Sequence, residues 1–267
     1  MTRVRRSIAA LAVAVVFLLP LAFLLLGSLR RPGLPPASGF EWIPNPLSWQ
    51  NYATIFGIVP MRSAIVNSLV VTAVAVPVTV VIASLAGFAI VRATVRVRTF
   101  LIVASIVALM VPVTALWVPR FVMYRWMGLI DTPWVLMLPA LMATTPFFVL
   151  IFALAYSRIP RQLFEAAVLE GARPLRVWRR VALPLARPAT FAVAVLAFTW
   201  HWSNFVDPLL FITSDERVTV PLALHALASL EATNHPLLLA GAAVAVIPPL
   251  IAFLVAQNSL FRRTLDV

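Results

Sequence analysis

Glu165-Ala166-Ala167, followed after three residues by Gly171 and after nine more by Val181-x-Leu183-Pro184, is the patterned polar stretch of an otherwise apolar chain. The chemistry these residues offer is recognition of a partner, with no catalysis. Glu165 and Glu170 supply carboxylates for charge-assisted hydrogen bonds, and Gly171 can adopt the left-handed conformation that ends a helix. The segment reads as two short helices. Pro160 sits in the first turn of one, whose apolar stripe is Leu163, Phe164, Ala167 and Val168, with Arg161, Gln162, Glu165 and Glu170 on the remaining surface. Pro174 opens the other, with Leu175, Val177, Trp178 and Val181 apolar and Arg176, Arg179 and Arg180 polar. An arginine-rich amphipathic helix can also simply lie among lipid headgroups. Anionic lipid would repel Glu165 and Glu170, whereas a protein partner could use them.

Other reactive chemistry is excluded by residue type. The chain has no cysteine, so it has no disulfide, thiolate nucleophile or Cys-ligated metal. All 21 basic residues are arginine. Without lysine there is no Gly-Lys-Ser/Thr phosphate loop and no Schiff base. His225 and His235 lie ten apart with no ligand cluster around them, which argues against a metal site. The net charge of +12 does not indicate nucleic acid, because the arginines fall in short clusters between apolar runs and make no continuous basic face.

The elements that must position the Glu165 segment are membrane spans. Hydrophobic residues make up 62% of the 267, and charged residues 11%, against about 25% in a soluble domain. Six charge-free stretches reach or approach the ~20 residues that cross a bilayer core: 7–29, 64–91, 99–119, 132–157, 188–206 and 237–261. The expected fold is therefore all-α and integral to the membrane, a single domain of six spans over residues 1–267. The polar loop 158–187 joins spans four and five. The first run is too long for a signal-peptide core and shows no small-x-small cleavage site, so a retained helix is expected. Fifteen arginines, including Arg262 and Arg263, fall on the side of the termini and the 158–187 loop, against six on the other. This bias places both termini in the cytoplasm. Pro77, Pro112, Pro139, Pro146, Pro248 and Pro249 lie inside spans and predict kinks.

A few further residues could line a solute path. His201 lies among Trp200, Trp202, Ser203 and Asn204, and such aromatic, imidazole and amide groups suit a sugar; an interfacial aromatic belt is the plainer reading. Asp207 could bind a hydroxyl or cap a loop. Asn67 and Thr72 are polar within span two, where hydrogen bonding between helices is the default. The segment Trp117–Gly128 reads as an interfacial helix.

The Glu165-to-Pro184 pattern resembles the EAA loop of binding-protein-dependent ABC importer permeases, with Val181 for the usual Ile, Glu170 for the usual Asp, and Pro174 where a small polar residue is frequent. Asn67-Ser68-Leu69, Leu85-Ala86-Gly87-Phe88-Ala89, Gly128-Leu129-Ile130-Asp131-Thr132 and Trp202-Ser203-Asn204-Phe205 with Pro208-Leu209 resemble the carbohydrate-uptake branch, that of the small maltose-type subunit. The resemblance implies a permease of the bacterial inner membrane that is not itself an enzyme and carries no cofactor. ATP and Mg would be bound by a separate cytoplasmic ATPase dimer. That ATPase would grip Glu165, Ala166, Ala167 and Gly171, with Leu183 and Pro184 in support. A second, different permease subunit would complete the pore, and an extracytoplasmic solute-binding protein would deliver a sugar or oligosaccharide to the exterior loops 30–63 and 207–236. Asn67, His201, Trp202 and Asn204 would lie along the solute path. The tail ending at Val267 is short beside the glycine-rich tails of maltose-type relatives, so little tail contact with the ATPase is expected.

Two other classes fit less well. A self-sufficient secondary transporter needs ionisable groups within its spans, and His201 alone qualifies. A lipid-acting membrane enzyme needs clustered Asp, Glu or His near the interface, and the sequence shows none.

Overall fold

The computed structural model describes residues 2–36 and 44–261. Arg262, Arg263 and the tail after them lie outside these residues, as does part of the 30–63 loop. All regular structure among the described residues is helical.

The core is organised around one helix. Following α1 (Thr2–Ser28) and the short α2 (Gln50–Ile58), α3 runs from Met61 to Arg92. Its 32 residues span ~48 Å at 1.5 Å each. The residues α3 buries include Ala64, Ser68, Thr72, Ala75, Thr79, Ala83, Ser84 and Gly87, a stripe of small side chains at helical spacing. Apolar side chains gain little by leaving lipid for protein, so close backbone approach over small residues is what holds such helices together. At Gly87 the approach is tight. A Cβ there would stand 2.7 Å from the Phe152 Cβ and 2.8 Å from the Ala153 nitrogen, so only glycine fits without a shift.

α4 (Val95–Met110) packs on the outside of this core and buries none of its side chains. It stops short of the expected third span. Val111 turns extended before Pro112, and the chain bends by 88° into a 3-10 turn and α5 (Trp117–Trp126). The physical reason is the steric bar on α conformation just ahead of a proline. The fourth span is also interrupted. α6 (Trp134–Met137) runs into a 3-10 turn, Ala143 and Thr144 adopt left-handed φ values of 58° and 61°, and α7 (Pro146–Ser157) restarts behind a Thr145 N-cap. The two short helices α8 (Arg161–Leu169) and α9 (Pro174–Val177) follow.

A π-helical turn, Trp178–Ala182, then carries the chain into α10 (Leu183–Leu185). Pro184 has no N–H to give the Arg180 carbonyl, and the ladder re-registers one residue wider, with the Leu183 N–H bonded to the Trp178 oxygen. An 85° bend at Ala186 leads into α11 (Arg187–Trp202), which ends four residues before the expected limit of span five. The 207–236 loop is mostly helical: it holds most of α12 (Val206–Phe211), a 3-10 turn and the apolar α13 (Val220–Leu230). α14 (His235–Phe261) closes the fold and stays continuous through Pro248 and Pro249.

Four helical segments are long and apolar enough to cross a membrane, and the two bent pairs would make six. α3 packs on α7 and α11, α1 packs on α14, and α4 packs on α7 and α3. At the Met61 end, Asn51 of α2 donates to the Ser28 and Arg30 carbonyls and so caps the end of α1.

Candidate functional site

α8 divides its residues between a buried and an open face. Phe164 is buried and meets Phe88 of α3 edge-on at 6.0 Å, and Ala167 is half-buried behind it. Glu165 and Ala166 are exposed. The apolar stripe expected from the sequence is split: Leu163 and Val168 stand exposed, because only the Phe164–Ala167 line faces α3 and the other two point away. Pro160 is the N-cap, not the first helical residue, so the helix begins one position later than expected.

The turn after α8 is built on Gly171, at φ +77°. Its N–H bonds to the Val168 oxygen, and the Ala172 N–H reaches back to the Ala167 oxygen. This double closure satisfies the last carbonyls of α8 and requires the left-handed residue. No heavy atom lies within 4 Å of where a Gly171 Cβ would be, so the turn faces open space. Glu165, Ala166 and Gly171 therefore share an exposed tip, while Leu183 and Pro184 sit half-buried at the far end of the segment.

Beneath the tip lies a polar root that the sequence reading missed. The Trp178 indole N–H donates to the Ser84 hydroxyl at 2.8 Å, and that hydroxyl shares a 2.6 Å hydrogen bond with the Tyr156 hydroxyl. Tyr156 in turn stacks on Phe152 and meets Phe88 edge-on. Two rings, Phe164 and Trp178, thus fix both short helices to the α3–α7 pair. The available signal was an indole in a polar loop and lone hydroxyls at the ends of two spans, none of which identifies its partner.

Each expected path residue makes contacts within the chain. The Asn67 amide donates to the Glu216 and Val218 carbonyls, tying the 212–219 segment to the start of α3. The Trp202 indole donates to Ala245 of α14 and stacks on Phe198. Asn204 donates to the Asp207 carboxylate and accepts from its backbone N–H. His201 is only 7% exposed, so it is no part of an interfacial belt. Its Nε2 lies 3.0 Å from the Thr144 hydroxyl, which is 2.6 Å from that of Thr79. One polar junction thereby joins α3, the break in span four and α11. His201 and Asn204 also line a cavity of about 10 Å³ with Ser68 and Thr219.

Asp207 is held by a bidentate ion pair with Arg120, at 2.9 and 3.1 Å, beneath which lie the rings of Tyr124 and Phe211. Near it, the Asp131 carboxylate accepts from the Thr213 and Ser214 backbone N–H groups and the Ser214 hydroxyl, and pairs with Arg217. These bonds, the Ser214 backbone N–H first, hold its carboxyl below the ordinary range. No cluster of three potential metal ligands occurs among the described residues.

Residues 79–266 match the family described as the binding-protein-dependent transport system inner membrane component. The arabinooligosaccharides transport system permease protein AraQ of Bacillus subtilis (strain 168) is 27% identical over 260 residues, 96% of this chain and 92% of that one. A bacterial ABC transporter importing the acidic polysaccharide alginate contains a chain that superposes with a TM-score of 0.71 at 19% identity, covering 96% of each. The alginate transporter in complex with an alginate pentasaccharide-bound periplasmic protein gives 0.68 at 16%, covering 98% of this chain and 96% of that one. The secondary-transporter and lipid-enzyme readings are thereby set aside. With an all-helical fold of four to six spans and a family match over most of its length, the chain belongs to the inner membrane components of binding-protein-dependent transport systems.

Proposed function

We propose that this chain is the permease subunit of an ATP-driven carbohydrate importer, and that α8 and α9 couple it to a separate cytoplasmic ATPase dimer. The observation that carries the coupling is the division of the segment into an open tip and a fixed root. Glu165, Ala166 and Gly171 face outward, where an ATPase cleft could close on them. Phe164 and Trp178 tie the same helices to α3 and α7. A rigid-body movement imposed at the tip would reach α11 through Leu183, Pro184 and the bend at Ala186. Ala167, half-buried, lets α8 lie close to α3.

The solute is assigned to oligosaccharides or related polyols, because the relatives named above move arabinooligosaccharides and alginate. Delivery would come from an extracytoplasmic binding protein, consistent with the family's description. ATP and Mg would be bound by the ATPase. A second, different permease subunit would complete the pore. Both termini are assigned to the cytoplasm from the arginine bias. Asn67, His201, Trp202 and Asn204 would shape the wall of the solute path, their mutual spacing set by the bonds described above.

The test is reconstitution of the full importer in proteoliposomes with Ala166→Leu and Glu165→Gln. Ala166 is exposed, so the larger side chain leaves the fold of this chain intact and obstructs only a docked partner. Loss of ATP-driven uptake and of solute-stimulated hydrolysis is expected. Unchanged uptake with both variants would remove α8 from the coupling route.

A further inference from the structure

Ser68, His201, Asn204 and Thr219 meet around the cavity of about 10 Å³, with Leu136 among its apolar walls. Ser68 lies on α3, His201 and Asn204 at the end of α11, and Thr219 just ahead of α13. Ser68, His201 and Thr219 are each more than nine-tenths buried. Thr219 holds the N-cap position of α13, yet its hydroxyl makes no capping bond. An N-cap threonine ordinarily accepts from the N–H of the second or third helical residue. The second here is Pro221, which has none. The Val220 N–H is taken by the Ser68 hydroxyl instead, at 2.9 Å. The Thr219 hydroxyl is left with no partner among the described residues.

A buried hydroxyl left unpaired is costly, and buried polar groups in folded proteins are paired with protein or with ordered water. A cavity can hold a water when it offers about 10–15 Å³ and about two to four polar partners. This one reaches that volume and has the partners. The Ser68 hydroxyl accepts from Val220 and still has its proton to give. Asn204 spends one amide N–H on Asp207 and keeps the other. His201 commits one ring nitrogen to Thr144 and keeps the other. No carboxylate lines the space, so its chemistry suits a neutral guest better than a cation.

We propose that this cavity binds one buried water molecule. The water accepts from the Ser68 hydroxyl and the Asn204 amide, donates to the Thr219 hydroxyl, and bonds the second nitrogen of the His201 ring. It joins two polar groups that are otherwise separate. One is the Arg120–Asp207–Asn204 set, and the other is the His201–Thr144–Thr79 junction. The start of α13 is thereby tied through one molecule to α3 and to the break in span four. This inference does not rest on the solute path. It holds or fails whether or not solute passes His201.

The proposal is tested by X-ray hydroxyl-radical labelling of the full chain, with the subunits that copurify, in lipid nanodiscs. Irradiation makes radicals from bound water too, so a side chain beside a buried water is oxidised where bulk solvent does not reach. Leu136, in the cavity wall, is 4% exposed, whereas Ile212, outside it, is 6% exposed. Leu136 is expected to be oxidised several times faster than Ile212, as read by mass spectrometry. Oxidation of Leu136 no faster than that of Ile212 would overturn the proposal. Thr219→Val gives a second reading. It keeps the shape, removes the hydroxyl and sacrifices no capping bond. With the water in place it deletes a hydrogen bond, and the unfolding equilibrium in detergent should shift toward the unfolded state by about fivefold. In a dry cavity it removes an unpaired hydroxyl and stabilises, so a more stable valine variant would overturn the proposal as well. The labelling of the parent carries the test if the valine variant does not fold. An unfolding midpoint that moves when sodium replaces potassium at constant ionic strength would make this a cation site and overturn the water.

Discussion

The indole N–H of Trp178, in the polar segment, donates to the hydroxyl of Ser84, inside the central helix, over 2.8 Å. The two residues are 94 apart in sequence. Ser84 is fully buried and Trp178 nearly so, and the same hydroxyl holds Tyr156. Ser84→Ala therefore leaves two buried polar groups, the Trp178 N–H and the Tyr156 hydroxyl, without this partner at once, whereas Trp178→Phe leaves the Ser84–Tyr156 bond in place. An unsatisfied buried polar group costs about 1–3 kcal/mol. Ser84→Ala is expected to destabilise by more than Trp178→Phe. The double variant should show a coupling energy of about 0.5–3 kcal/mol, measured by unfolding in detergent. Additive effects would mean that the hydrogen bond does not hold the segment to α3.

That bond also marks the limit of what the sequence discloses. Charge is confined to the ends of α1 and α3 and excluded from the middle of α1, α3 and α14, because each arginine at a bilayer centre costs about 2.5–3.5 kcal/mol, so these helices were legible from residue type alone. Gly171 was legible for a similarly local reason, since its left-handed turn is open to few residues. The breaks were harder to read. Pro77, Pro248 and Pro249 stay inside continuous helices, while Pro112 ends one. The difference lies in tertiary surroundings that a single sequence does not display. The root of the 158–187 segment and the partners of His201 and Asn67 join residues 57 to 151 apart. Spacing cannot disclose such pairs.

Gly87 and Gly57 should respond to alanine with opposite signs. At Gly87 a Cβ would press on the Phe152 Cβ and on the α7 backbone at 2.7–3.0 Å, atoms that cannot rotate away. Gly87→Ala should destabilise by about 1–3 kcal/mol, because overpacking outweighs the ~1 kcal/mol that alanine gains as a helix former. At Gly57, within α2, a Cβ meets nothing within 4 Å. Gly57→Ala should be neutral or stabilising by up to about 1 kcal/mol. Thermal unfolding of both variants reads the signs directly. A Gly87→Ala protein as stable as the parent would show that α3 and α7 are not in close contact.

The Asp131 carboxyl is held below its ordinary range chiefly by the Ser214 and Thr213 N–H groups, with Arg217 adding to the effect. A depressed native value means that the anchoring is fully present above the unfolded-state value and is lost as pH falls through the native one. Protection factors for the Thr213 and Ser214 amides, which correct for the intrinsic slowing of exchange in acid, should therefore be high at neutral pH and fall as the pH is lowered. Asp131 is itself left-handed, at φ 59°, a conformation asparagine also tolerates. Asp131→Asn thus removes the charge without straining the backbone. It should expose both amides at neutral pH and flatten the pH dependence. Unaltered protection in that variant would assign the order of the 212–219 segment to other contacts.

Thr144 combines backbone strain with two hydrogen bonds, and the two can be separated. Its φ of 61° is unfavourable for a β-branched residue by roughly 1–2 kcal/mol. Its hydroxyl meets Thr79 at 2.6 Å and His201 at 3.0 Å, so the strained turn between α6 and α7 is held to α3 and α11. Thr144→Val keeps the shape and the strain but deletes both bonds, leaving the Thr79 hydroxyl and the His201 nitrogen without this partner. A loss of about 2 kcal/mol or more is expected. Thr144→Gly also deletes the bonds but relieves the φ penalty, so it should lose less. Unfolding in detergent ranks the stabilities as parent, glycine, then valine. ATP-driven uptake by the reconstituted importer should fall in the same order if the junction must stay closed while the helices move. A valine variant as stable as the glycine one would show that the hydroxyl contacts are incidental and that packing around Ala143 alone sets the break in the span.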